Sequence, residues 1–151
     1  MTTVLAIDPG SVSAAYAVLS DDGAAFAVGD MPVADRMVDA AGFVGLLEEW
    51  PLLDAAIIED VHAMPKQGVA STFRFGMGCG IVRGVVLAMG LPLYLVSSGK
   101  WKKHFSLDSD AEKSRALAIR YWPGCRELSR KKDHGRAEAL LLARYYLETR
   151  K

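Results

Sequence analysis

The run Asp54 to Glu59, DAAIIE, holds four consecutive apolar residues between two carboxylates. A strand without alternating polarity is one covered on both faces, so this chain must build layers on either side of a sheet. Helical spacing brackets the run. Upstream, Met37, Val38, Ala41, Phe43, Val44, Leu46, Leu47 and Trp50 predict a helix from about Asp35 that Pro51 ends. Downstream, Val69 to Met89 predicts a long helix and Pro92 to Val96 another strand, parallel to the first because the connection crosses over through a helix.

The first thirty residues read differently. Thr3 to Ile7 is a short apolar run closed by Asp8-Pro9-Gly10, Val12 to Leu19 a second, and Ala24 to Val28 a third after the turn cluster Asp21-Asp22-Gly23. Three short strands with tight connections form an antiparallel meander. Beyond the last strand, Ser97 or Ser98 is placed to cap a helix, and Asp110 to Tyr121 predicts a helix stopped by Pro123-Gly124. Residues 123 to 132 read as a basic loop, and Arg136 to Glu148 as a final helix with an apolar stripe. The expected fold is α/β: a five-stranded mixed sheet, a three-stranded antiparallel meander plus two parallel strands, flanked by helices. With 151 residues, 51% of them hydrophobic and 24% charged, residues 1–151 are expected to form one domain, and a disordered or collagenous chain is excluded.

The longest apolar stretch, Ile81 to Leu95, is broken by Arg83, glycines and Pro92 before the roughly 20 residues that a membrane span needs, so no membrane partner is expected. No basic segment followed by an apolar run opens the chain, and Cys79 and Cys125 lack metal-ligand spacing; both point to a reducing cytoplasm. The net charge of zero hides an asymmetry. Residues 1–99 set four Lys/Arg against eleven carboxylates, a net of −7, whereas residues 100–151 set fourteen against seven, a net of +7. A basic third of a chain points to a polyanionic partner or to solvated helix faces.

Three features could carry chemistry. Asp8 and Glu59 each close a strand, at the sheet edge where open α/β folds place their sites. Should those strands be neighbours, the two acids would repel unless they shared a proton or a cation. Asp60 reads as a solvated loop carboxylate. The third feature is KKDHGRAEALLLA at 131–143, where Glu138 lies in an apolar stretch and needs a partner or a metal, with Asp133 and His134 about one turn earlier. Hard oxygen donors with water and one imidazole suit Mg2+ or Mn2+ rather than zinc.

These residues resemble the RuvC-type Holliday junction resolvases of the RNase H-like superfamily, particularly their compact phage and prophage forms. The resemblance spans nearly the whole chain: AIDPGS at 6–11, AIIEDV at 56–61 with the glycine-containing helix after it, SSGKWKK at 97–103 with Lys113, and DHGRAEALLLA at 133–143. It implies a metal-dependent endonuclease that resolves four-way DNA junctions by hydrolysis with two Mg2+ (or Mn2+) ions, leaving 5′-phosphate and 3′-hydroxyl ends, and that acts as a homodimer in DNA recombination and repair. Asp8, Glu59 and Glu138 match the family's metal-binding carboxylates. Bacterial members carry Asp or His three residues before the final acid, where this chain has Gly135, so the fourth ligand falls to Asp133 or, as ligand or phosphate contact, to His134. Lys100, Lys102, Lys103, Lys113, Arg130, Lys131 and Lys132 would contact DNA phosphates. Trp101 would stack on a base or pack in the core, and His62 stands where bacterial members carry an aromatic near the junction centre. Gly76 to Gly84 is the candidate dimer contact. The alternatives are a nuclease acting on other branched DNA or on RNA–DNA hybrid, and a noncatalytic nucleic-acid binding module.

Overall fold

The computed structural model describes residues 1–10 and 13–150. Val12 and Ser11, the expected start of the second strand and the last residue of the AIDPGS motif, lie outside them. In chain order the elements are β1 (Thr3–Asp8), β2 (Ala15–Ser20), β3 (Phe26–Asp30), β4 (Val33–Ala34), β5 (Met37–Val38), α1 (Ala40–Glu48), β6 (Ala55–Asp60), α2 (Val69–Ala88), β7 (Leu93–Ser97), α3 (Ser98–His104), α4 (Ala111–Tyr121) and α5 (His134–Thr149). Two 3-10 turns, Arg126–Leu128 and Lys131–Asp133, occupy the expected basic loop.

The main sheet has the order β3-β2-β1-β6-β7. β1 pairs antiparallel with β2 and β2 with β3, while β6 and β7 continue parallel to β1, so the expected five-stranded mixed sheet is the observed one. Its two faces are closed by different helices. Val4, Ala6, Ala17, Ala55 and Ile57 face the buried residues of α5, and Leu5, Ile7, Val18, Ala56 and Ile58 face Phe43 and Leu47 of α1 with Val82 and Val86 of α2. This double coverage explains why β6 has no polar alternation.

The expected helix from Asp35 is shorter than its apolar pattern suggested. Met37 and Val38 belong to a hairpin in which Val33 pairs with Val38 and Ala34 with Met37, leaving Asp35-Arg36 as a two-residue turn. Both turn residues have positive φ, 51° and 62°, the geometry of a type I′ turn that glycine usually serves. Left-handed backbone costs a non-glycine residue about 1–2 kcal/mol, partly offset by glycine's greater freedom in the unfolded chain. Arg36→Gly is therefore expected to raise stability by about 0.5–1 kcal/mol, read as a higher urea midpoint with an unchanged slope.

Other boundaries moved by one to three residues, the start of β2 the furthest. Ser97 is the α3 cap, accepting the Lys100 N–H at 3.2 Å, and Asp110 caps α4 by accepting the Glu112 N–H at 2.9 Å. Among the described residues no helix is long and apolar enough to cross a membrane.

Candidate active site

Strand alternation fixes which way the acids point. Asp8 shares its face with Val4 and Ala6, and Glu59 shares its face with Ala55 and Ile57, so both carboxylates emerge toward α5 at the carboxyl edge of adjacent parallel strands. Glu138, on the second turn of α5, comes down onto the same place. The three acids act on one another. Burial raises the Asp8 carboxyl well above its ordinary range, with the charges of Glu138 and then Glu59 raising it further and Lys102 opposing them. Glu138 is raised by burial and by Glu59, against the lowering effects of Lys102 and of nearby His134. Two neighbours hold the outer acids. The indole Nε1–H of Trp101 donates to Glu59 Oε1 at 2.8 Å, and Lys102 Nζ lies 4.0 Å from Glu138 Oε1.

Gly135 shapes the floor. A Cβ on it would stand 3.2 Å from Asp8 Oδ2 and 3.7 Å from the Ala15 Cβ, so the first turn of α5 rests directly on the Asp8 carboxylate. Only glycine permits that approach without displacing Asp8.

The other expected site residues divide. His134 is exposed at the start of α5, close enough to Glu138 to affect its charge. Asp133, the favoured fourth ligand, is placed elsewhere. Its buried carboxylate accepts from the Arg130 N–H at 2.8 Å and from Arg130 Nη2 at 2.8 Å, with Arg136 Nη1 3.7 Å away. Burial alone would raise its pKa; the hydrogen bonds from Arg130 and the charges of Arg130 and Arg136 hold it below the ordinary value. The carboxylate thus closes the turn ahead of α5 on the side of two arginines rather than joining Asp8, Glu59 and Glu138. Trp101 is 1% exposed and cannot stack on a base. Arg130 is occupied by Asp133 and the exposed Lys113 is paired with Asp108. Lys100, Lys103, Lys131, Lys132 and His62 are exposed. Asp60 points to the opposite face, where Arg83 Nη2 donates to it at 3.1 Å.

Lys102, beside Glu138, also lines a groove of about 610 Å³ with Ser98, Gly99, Lys103, Ser106, Leu107, Asp108 and Ser109, which offers two ammonium groups, three hydroxyls and one carboxylate. Sequence reasoning placed Lys102 among phosphate contacts and missed its approach to Glu138. No local pattern announces that approach, because it depends on how α3 crosses α5.

The donor set fits a divalent cation in kind: three hard carboxylates share one field that burial makes costly, which a cation would relieve. As placed, Glu59 is bonded to Trp101 and Glu138 lies beside Lys102, and among the described residues no three His, Cys, Asp or Glu side chains stand together at ligating distance.

No family model matches this chain, and neither does any curated protein. Solved structures do. The chain is similar to Thermus thermophilus RuvC in complex with a Holliday junction substrate, with a TM-score of 0.69 at 18% identity over 97% of this chain and 96% of that one. A second Thermus thermophilus RuvC structure gives 0.62 at 22% identity over the same shares. The fowlpox virus Holliday junction resolvase gives 0.61 at 12% identity, over 99% of this chain and 100% of that one. With TM-scores of 0.61 to 0.69 over nearly the full length of each, the chain has the RNase H-like fold of these resolvase structures.

Proposed function

We propose that this protein is a metal-dependent endonuclease that resolves four-way DNA junctions. The observation that carries the reading is the meeting of Asp8, Glu59 and Glu138 on one face, at the carboxyl edge of a resolvase-like sheet. Asp8, Glu59 and Glu138 would hold two Mg2+ or Mn2+ ions, with His134 as the fourth donor in place of Asp133. Such ions, when bound, supply an activated water and charge stabilisation at the leaving 3′-oxygen, which leaves a 5′-phosphate.

The chain's own groups do the rest. Trp101 orients the Glu59 carboxylate through its indole N–H, and Lys102 offsets the charge of Glu138. Lys102 and Lys103, with the hydroxyls of the adjoining groove, offer a path for the phosphodiester backbone, and Lys100, Lys131 and Lys132 extend it. These contacts position a strand without reading its bases. The C-terminal placement of Lys102, Lys103 and His104 on α3 also suits the helix dipole.

The homodimer would form through α2. Val69, Phe73, Met77 and Leu87 are exposed on one helical face, with Gly76, Gly80 and Gly84 between them, and a Cβ at any of these glycines would meet nothing within 4 Å. The glycines are therefore not spent on close packing within the protomer. Two-fold pairing across this face would set one carboxylate site on each of two opposed strands.

The test is cleavage of an end-labelled four-way junction beside linear duplex and RNA–DNA hybrid, in Mg2+, in Mn2+ and in EDTA. Paired metal-dependent nicks on opposed junction strands are expected. Preferential cutting of the hybrid would discard junction resolution, and junction binding with no cutting in either metal would make the protein a binding module.

A further inference from the structure

We propose that Arg136 is the positioning residue of the carboxylate site, setting where along its axis α5 rests on the sheet and hence where Glu138 stands relative to Asp8. Its effect on catalysis rests on the nuclease reading; its effect on the helix does not.

The argument begins with strand register. Asp8 pairs with Ala15, and Ala15 pairs with Asp30, so the three form one row across β1, β2 and β3. Residues directly opposed across a sheet project from the same face. Asp30 therefore shares the α5 face with Asp8, two strands away. The first turn of α5 lies along this row. Gly135 rests over Asp8 and Ala15, and the next residue, Arg136, grips Asp30 with Nε to Oδ1 at 2.9 Å and Nη2 to Oδ2 at 3.1 Å.

The remaining guanidinium nitrogen is also occupied. Arg136 Nη1 donates to the Glu127 carbonyl at 3.2 Å and lies 3.7 Å from Asp133 Oδ1, the oxygen to which Arg130 Nη2 donates at 2.8 Å. One fork thus ties the helix to β3, to the 3-10 turn at Arg126–Leu128 and to the turn directly before the helix.

Apolar packing alone leaves one freedom open. Where it meets Asp8, α5 presents Gly135, which lets the helix approach closely and has no side chain to interlock. Such a surface fixes how closely a helix approaches more firmly than where it stands along its axis. A two-pronged arginine–carboxylate pair has a fixed direction and fixes that coordinate. Glu138 follows Gly135 by three residues on the same side of the helix, so it moves with that turn. The buried Asp133, read from sequence as a ligand, has its place in this clamp.

The variant that isolates the clamp is Asp30→Ala, because the Asp30 side chain is 66% exposed and makes no contact with the three acids. Arg136→Lys, which keeps the charge and loses the fork, accompanies it. Three readouts are taken: hydrogen exchange along α5, the Mn2+ concentration that half-saturates the thermal shift, and single-turnover junction cleavage. In Asp30→Ala, exchange at residues 134–137 is expected to rise at least tenfold with the rest of α5 unchanged. Half-saturation is expected to move up at least fivefold, and cleavage to slow at least tenfold with junction affinity retained. Arg136→Lys is expected to recover only part of each. Unchanged exchange in the first turn overturns the clamp whatever the enzyme does. A lower melting temperature with unaltered Mn2+ half-saturation also overturns it, since support of the fold alone produces that pattern. A wild-type protein that neither responds to Mn2+ nor cuts any junction defeats the nuclease reading instead, and the exchange data then decide the clamp by themselves.

Discussion

Asp8→Asn is expected to reduce junction cleavage by about a thousandfold or more, the scale of losing several kcal/mol of metal-derived stabilisation at the reacting phosphate. The same substitution is expected to make the metal-free protein more stable. Burial, Glu138 and Glu59 all raise the Asp8 pKa, so folding favours the protonated acid. A carboxyl group whose pKa is higher in the folded than in the unfolded chain costs stability progressively as pH rises above its unfolded value. Asparagine keeps the volume and removes the charge. In EDTA at pH 7 the variant should therefore melt above wild type, with the gap closing as pH falls toward 4. In saturating Mn2+ the order should reverse, because only wild type gains from ligation. A variant that cuts junctions at the wild-type rate would place the chemistry elsewhere, and one that melts below wild type in EDTA would show that Asp8 carries no buried charge cost.

Most of the sheet was legible because its strands are short apolar runs with turn residues between them, and α2, α4 and α5 because their apolar spacing persists over several turns. The β4–β5 hairpin was not. Its turn is Asp35-Arg36, with no glycine to signal positive φ, so Met37 and Val38 were absorbed into the helical pattern that follows. Two of the three acids were legible as strand endings, and Glu138 as a charge in an apolar stretch. The role of Asp133 was obscured by its position one turn before Glu138, although Arg130 three residues upstream was a readable sign of a local pairing. The partners of Asp30, Asp60 and Glu59 are distant in sequence, and only strand register and helix crossing bring them together.

Trp101 should show the largest effect on stability. Its side chain is among the largest that are fully buried, and it also orients an acid of the site. Trp101→Ala is expected to cost about 3–5 kcal/mol, the range for deleting a large buried aromatic, and domains of this kind hold only about 5–15 kcal/mol in total. Trp101→Phe separates packing from orientation. It keeps most of the apolar contact but leaves Glu59 Oε1 without its donor, so cleavage should slow about tenfold, equivalent to ~1.4 kcal/mol, while chemical denaturation shows a smaller loss than for Ala. Equal denaturation midpoints for wild type and Trp101→Ala would contradict the burial, and a wild-type rate in Trp101→Phe would remove the indole N–H from any part in orienting Glu59.

Helix α5 is at once the centre of the core and the carrier of the last acid: Ala137, Ala139, Leu140, Leu141 and Ala143 are wholly buried around Glu138. Glu138 follows Glu59 by 79 residues and Asp8 by 130. At about 5–20 residues per second, a growing chain carries Asp8 and Glu59 for several seconds before Glu138 is polymerised. During that interval β1 and β6 lack the layer that covers one face, and the carboxylate set is incomplete. Assembly of the core and completion of the acid cluster therefore both wait for α5, so a chain cut before that helix has neither the cover for one face of its sheet nor the full set of three carboxylates.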